Sequence, residues 1–258
     1  MNSRRKPGLS LKTSDDINRI QEAGQLLARV FDLIDPGSLA GPSTLDVDRE
    51  IEENIRRLGG RPAFQTVPGY AHSSCISINN EILHGIPHRK RRIRPGDLVK
   101  IDIGVVLAGY FADACRTFLA GKASTPEREG LMRASLEALD AAIDVMRPGN
   151  YIGDIGHAIE TVARNHGYSV VTRYMGHGVG FHLHEYPPVP SVGRKGTGIQ
   201  MPEGVVLALE PMLNAGSYRC RELEDGWTVV TTDGSDSAQF EDTVAVTREG
   251  PLVCTRLS

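Results

Sequence analysis

Ile17, Ile20, Ala23, Gly24, Leu27, Val30 and Phe31 recur at helical spacing behind Thr13-Ser14-Asp15-Asp16, a run rich in N-cap residues. The pattern predicts a long amphipathic helix that stops near Asp35-Pro36-Gly37. Ser43-Thr44 then caps a second helix carrying Leu45, Val47, Ile51, Ile55 and Leu58 up to Gly59-Gly60. The second half of the chain repeats the arrangement. Leu131, Leu136, Leu139, Ile143 and Met146 lead into Arg147-Pro148-Gly149, and Ile152, Ile155, Ile159 and Val162 lead to His166-Gly167.

Each copy runs on to an apolar strand that is predicted to end on a carboxylate: Arg94 to Asp102 in the first and Met201 to Glu210 in the second. The offset that aligns Gly96 with Gly204 also carries Asp102 onto Glu210, so the two acids are predicted symmetry mates. Val99 to Val106 and Gly109 to Phe118 read as a hairpin with Asp113 on its return strand. Trp227 to Thr231 and Gln239 to Thr247 read as a matching hairpin carrying Glu241. A helix–strand unit written twice implies an α+β fold, with helices outside antiparallel strands and the acids converging where the halves meet. The expected organisation is a tail over residues 1–12 and a single domain over 13–258, with pseudo-repeats spanning about 13–120 and 125–250.

Composition narrows the class. With 258 residues, 40% hydrophobic and 24% charged, the chain reads as globular, and a net charge of −3 excludes a strongly basic nucleic-acid binder as the whole-chain explanation. No DNA partner is expected. Cys75, Cys115, Cys220 and Cys254 form no C-x-x-C pair and read as reduced thiols. Arg4, Arg5 and Lys6 are followed by no apolar stretch of a secretory signal, and no run approaches the roughly 20 apolar residues that span a bilayer. A cytoplasmic protein with no membrane partner is the expectation.

Asp102, Asp113, His177, Glu210 and Glu241 together make an oxygen-rich donor set with one nitrogen, suited to paired divalent ions. Taken singly, an acid at a strand end is ordinarily solvated. Asp102 and Glu210, however, follow Leu98-Val99-Lys100-Ile101 and Val205-Val206-Leu207-Ala208-Leu209, where an unmatched charge is expensive and coordination would relieve it. His177 lies in Gly176-His177-Gly178-Val179-Gly180, whose glycines permit close backbone approach.

The chain resembles the type I methionine aminopeptidases, whose architecture is called the pita-bread fold. The resemblance runs from Leu11 to Thr247. It is carried by Ser77-Ile78-Asn79 with His84-Gly85-Ile86-Pro87, by Lys100-Ile101-Asp102-Ile103-Gly104 and by Gly109-Tyr110-Phe111-Ala112-Asp113. The remaining motifs are Gly176 to Gly180, Leu209-Glu210-Pro211-Met212 and Ser237-Ala238-Gln239-Phe240-Glu241-Asp242-Thr243. It implies removal of the initiator methionine from nascent polypeptides. Asp102, Asp113 and Glu241 would hold one metal ion, and Asp113, His177, Glu210 and Glu241 a second, with Asp113 and Glu241 bridging. Cobalt, manganese, iron and zinc all suit such ligands. A water activated between the ions would be the nucleophile. Glu210 would carry its proton, His184 would stabilise the tetrahedral intermediate and His84 would hold the substrate backbone. Tyr70, Cys75, Leu183 and Trp227 would form the methionine pocket.

Three positions depart from the pattern: Leu183 where Phe is frequent, Val67 where an aromatic is common, and Asp242 where many relatives carry His. The run His88-Arg89-Lys90-Arg91-Arg92-Ile93-Arg94 is a candidate contact with ribosomal RNA, though basic runs more often serve solubility. A monomer is expected. Proline-directed relatives of the same fold are the nearest enzymatic rivals, but they usually carry a large extra N-terminal domain. The short segment between Glu210 and Glu241 argues against the type II enzymes. A binding module on the same scaffold would be expected to have lost ligands.

Overall fold

The computed structural model describes residues 8–121 and 124–257. Helix α1 (Ser14–Asp32) starts where the sequence placed it. Thr13 Oγ1 accepts from the Asp16 amide at 3.2 Å, while the Asp16 carboxylate accepts from the Thr13 amide at 2.9 Å. Ser43 and Asp46 close the same reciprocal cap on α2 (Thr44–Arg57). Each such cap contributes about 1 kcal/mol. The chain continues through β1 (Arg61–Pro62), a 3-10 turn at Phe64–Thr66, β2 (Ser74–Ile78), β3 (Glu81–Leu83), β4 (Leu98–Leu107) and β5 (Tyr110–Leu119). β4 is the spine of this half. It pairs antiparallel with β1, with β2 and along its whole length with β5. Its odd-numbered residues Val99, Ile101, Ile103 and Val105 bury against Ala23, Leu27 and Val30 of α1 and Ile51 and Ile55 of α2.

The second half opens with α3 (Pro126–Asp144), capped by Thr125, and α4 (Ile152–Asn165). β6 (Ser169–Val170), β7 (Gly176–Gly178), β8 (Glu185–Val189), β9 (Val206–Leu209) and β10 (Met212–Asn214) follow. The chain ends with β11 (Cys220–Glu222), β12 (Val229–Thr231), β13 (Ser237–Gln239), β14 (Asp242–Thr247) and β15 (Gly250–Val253). β9 is the counterpart of β4, flanked antiparallel by β7 and β14 in a five-stranded sheet ordered β15-β14-β9-β7-β8. Leu139 and Ile143 of α3 and Ile155 and Ile159 of α4 pack on its Leu207 and Leu209. Two helices thus cover each half's strands from outside, as the duplicated pattern predicts.

The strands differ from the expected plan in three respects. They form four antiparallel sheets rather than one, with the halves joined by a bridge between Cys115 of β5 and Glu241. The second hairpin does not form: β12 pairs with β11 and β3, while the segment carrying Glu241 splits into β13, which pairs with β10, and β14, which pairs with β9. Alternation marks a strand without naming its partner, and the split falls where the Glu241 amide donates to the Cys115 carbonyl at 2.9 Å. Asp102 lies within β4 rather than at its end, and Glu210 immediately follows β9. Lys12, assigned by sequence to the tail, is buried: its amide donates to Gly204 O at 2.8 Å and its ammonium pairs with Glu185.

Asp48, buried on α2, fixes the entry to β2. Its Oδ1 accepts from the Ser73 amide at 3.0 Å, the Ser74 amide at 2.9 Å and Ser74 Oγ at 2.8 Å. Asp48→Ala strands these buried donors and is expected to lower stability by about 3 kcal/mol in urea titrations. A loss below about 1 kcal/mol would show that the helix does not pin this strand.

Candidate metal centre

Strand geometry alone puts two acids side by side. Because side chains alternate along β4, the residues out of phase with Ile101 and Ile103 turn away from the helices, and Asp102 is one of them. On β5, Ala112 and Ala114 face the helices, which turns Asp113 the same way as Asp102. Asp102 lies opposite Cys115 and Asp113 opposite Gly104, so the two carboxylates are diagonal neighbours on one face. From the other half, His177 sits opposite Ala208 on β9, and Glu210 follows one residue beyond that strand's end. Gly176 is required beside it, since a Cβ there would come within 2.3 Å of the Ala208 carbonyl. The Cys115 bridge delivers Glu241.

All five side chains meet. Asp102, Asp113 and Glu241 offer ligand atoms within 4.8 Å of one another, as do His177, Glu210 and Glu241, so Glu241 is shared. Asp113, His177 and His184 form a third such group. His177 Nδ1 lies 3.0 Å from Gly178 O, which can only accept, so Nδ1 carries the proton and the lone pair is on Nε2. That nitrogen is 3.9 Å from both Asp113 Oδ2 and Glu210 Oε1. Lone pairs converge there with no donor between them. Asp102 Oδ1 and Asp113 Oδ1 are buried without a hydrogen-bond partner among the described residues.

Burial, reinforced for Asp102, Glu210 and Glu241 by the neighbouring carboxylates, disfavours ionisation throughout. It pushes Asp113 up to about 7, Glu210 up to about 8 and both Asp102 and Glu241 well above the usual carboxylate range. Burial pulls His177 and His84 down to about 4. Four acids and a neutral imidazole facing one point, with orphaned buried oxygens, are a donor set that fits divalent cations.

The acids form one wall of a cavity of about 120 Å³ whose other wall is apolar. Phe64, Val67, Tyr70, Cys75 and Trp227 line that side, and His84 and His184 stand with them. Tyr70 is oriented by its hydroxyl, which donates to Ser74 O at 2.8 Å, and its ring lies 5.0 Å from that of Trp227. His84 occupies a left-handed turn at φ 54–57-type geometry shared with Asn79, its own φ being 57, and His184 stacks edgewise 4.5 Å from His177.

Residues 18–248 match metallopeptidase family M24. The methionine aminopeptidase of Clostridium perfringens is 41% identical over 245 residues, covering 95% of this chain and 98% of the relative. The chain belongs to the methionine aminopeptidases of family M24. The solved methionine aminopeptidase structures of Thermotoga maritima and Rickettsia prowazekii superpose with TM-scores of 0.93 and 0.92 at 35% and 37% identity. They cover 97% and 96% of this chain and are themselves covered completely. Family membership settles the rivalry with proline-directed relatives, identifies the fold as pita-bread and brings a requirement for divalent metal.

Asp102, Asp113, Glu210, Glu241, His84, His177 and His184 all line this cavity, while the exposed His182 does not. Leu183 is the exception among the pocket residues. It packs in the cluster of Phe64, Tyr70 and Cys75 without lining the cavity, and Phe64 lines it instead. Gly104 makes room for Phe64, because a Cβ there would sit 2.7 Å from Cε1 of its ring. Gln239 and Thr243, to which motif reading assigned no role, contact the acids of the cavity. Gln239 Nε2 donates to Glu210 Oε2 at 3.3 Å, and Thr243 Oγ1 accepts from the Asp113 amide at 2.9 Å and donates to the Asp113 carbonyl at 2.8 Å. Their hydroxyl and amide, flanking Glu241 in sequence, were the available signal.

The raised acids hold protons in the folded, metal-free state that the unfolded chain releases near its ordinary values of 3.8 and 4.5, so stability falls as pH rises through the raised range. The lowered histidines act in the opposite sense only below their ordinary 6.5. Chelator-treated protein is therefore expected to lose melting temperature between pH 6.5 and 8, and manganese to flatten that slope. A flat profile without metal would contradict the electrostatics described here.

Proposed function

We propose that this chain removes the initiator methionine from nascent polypeptides using two divalent cations held by Asp102, Asp113, His177, Glu210 and Glu241. The observation that carries the reading is the sharing of Glu241 between two acid-rich donor groups beside an apolar pocket. Bound there, divalent cations would lower the pKa of a water and polarise the scissile carbonyl.

The side chains divide the remaining work. Tyr70, Cys75, Trp227 and Phe64 enclose the methionine side chain, with Leu183 supporting them from behind. His84, kept neutral by burial, can donate one hydrogen bond to the substrate backbone, and its fixed turn sets the direction. Glu210 is the proton carrier: it would stand beside the activated water, and the Gln239 amide restrains its Oε2. His184, at the exposed mouth of the cavity, supplies hydrogen bonding to charge developing on the carbonyl oxygen. Thr243 and Gln239 keep Asp113 and Glu210 in register with Glu241.

Nascent substrates emerge beside ribosomal RNA, and the basic run is the surface suited to it. Arg89, Lys90, Arg92 and Arg94 are exposed, whereas Arg91 is committed to Glu81 and to Ile86 O. Binding there would reside in these four exposed cations, of which Arg92 also donates to Gly41 O, and weaken steeply with salt.

Metal-stripped protein should not cleave Met-Ala-Ser, should recover on addition of manganese or cobalt, and should leave Ala-Pro-Ser intact. Recovered cleavage of Ala-Pro-Ser alone would overturn the methionine reading. His84→Ala and His184→Ala are expected to lower kcat/KM by about 100-fold each with metal binding preserved. Unchanged turnover in either would remove that residue from the mechanism.

A further inference from the structure

Behind Glu241 lies an ionic network centred on a buried carboxylate that the catalytic reading does not use. Asp242 is fully buried. Its Oδ1 accepts from Arg116 Nη2 at 2.6 Å and from Thr255 Oγ1 at 2.7 Å, and its Oδ2 accepts from Arg256 Nε at 2.7 Å. Arg116 also donates through Nη1 to the Glu241 carbonyl and through Nη2 to the Thr255 carbonyl. Thr255 Oγ1 in turn accepts from the Thr243 amide at 3.1 Å. Because Thr243 is bonded to both backbone groups of Asp113, residues 255 and 256 reach two of the candidate ligands through unbroken chains of hydrogen bonds.

A buried ion pair gives weak net stability, since desolvation consumes most of the Coulombic gain. What this one supplies is position. It fixes the backbone from the Glu241 carbonyl to the Thr243 amide, where β13 and β14 diverge, and it does so with groups from Arg116, Thr255 and Arg256. We propose that Thr255 and Arg256 form a C-terminal clasp that positions Glu241 and Asp113 for divalent cations, acting through Asp242, Arg116 and Thr243. The clasp rests on the reading that Glu241 and Asp113 bind those cations.

Charge and position make opposite predictions for Arg256. Removing a cation near a metal site should tighten binding of another cation if only Coulomb forces matter. Loss of the clasp should loosen it. Manganese titration of chelator-treated full-length protein by calorimetry separates the two, with melting of the metal-free protein followed in parallel. Arg256→Ala and Thr255→Val, the latter without change of charge, are each expected to weaken binding about tenfold. Asp140→Ala, which removes only the outer pair of Arg256, should bind as wild type does. Wild-type or tighter binding in Arg256→Ala together with wild-type binding in Thr255→Val overturns the clasp.

Glu241→Gln separates this result from failure of the metal reading. If it loses manganese while the clasp variants do not, the clasp alone is wrong; if it binds like wild type, both are wrong. Should a clasp variant fail to fold, hydrogen exchange on the wild type decides. Manganese should slow exchange of the Thr243 amide, which donates to Thr255, and unchanged exchange there overturns the proposal.

Discussion

Four carboxyl groups turned towards one another in a partly dry cavity are the constraint around which this molecule is arranged. No lysine or arginine side chain pairs with Asp102, Asp113, Glu210 or Glu241 among the described residues. The nearest positively chargeable group, His177, is held neutral by burial and points its lone pair at the acids. Such a cluster is stable only when protonated or matched by cations, and cations are what would let all four acids ionise together near neutral pH. Groups that repel one another in the absence of metal are suited to holding it, which is the basis of the proposed cation site.

The fold answers that constraint with duplication. Each half contributes an antiparallel spine covered by two helices, with Asp102 on the first spine turned away from its helices and Glu210 just past the end of the second. Neither half completes the site. Asp102 and Asp113 come from the first, His177 and Glu210 from the second, and Glu241 is carried across by its backbone bridge to Cys115. Backbone hydrogen bonds, which do not stretch readily, therefore set the spacing between halves. Gln239 and Thr243, two residues to either side of Glu241, transmit that spacing to Glu210 and Asp113.

Much of this was legible in the chain because it rests on local rules. Helix caps at Thr13 and Ser43 are local hydrogen-bond chemistry, and the repeat of the helical pattern announced the duplication. The acids and His177 stood out as charge on apolar strands and a histidine among glycines. Pairing was harder to see. Nothing in Trp227 to Thr231 says that it will join Glu81–Leu83 rather than the strand carrying Glu241, since alternation is the same for either partner. Phe64 was missed because it sits in a 3-10 turn with no periodic neighbours, and it enters the pocket only because Gly104, distant in sequence, has no side chain. Lys12 looked like tail because burial of an ammonium requires Glu185, which periodicity cannot place.

The central claim is that this cavity holds two cations and that Glu241 touches both. Anomalous diffraction from crystals grown with manganese, collected on either side of the manganese absorption edge, tests it without reference to turnover. Two anomalous peaks are expected, one among Asp102, Asp113 and Glu241 and the other among His177, Glu210 and Glu241. A single peak, or manganese bound elsewhere with the cavity empty, would contradict it.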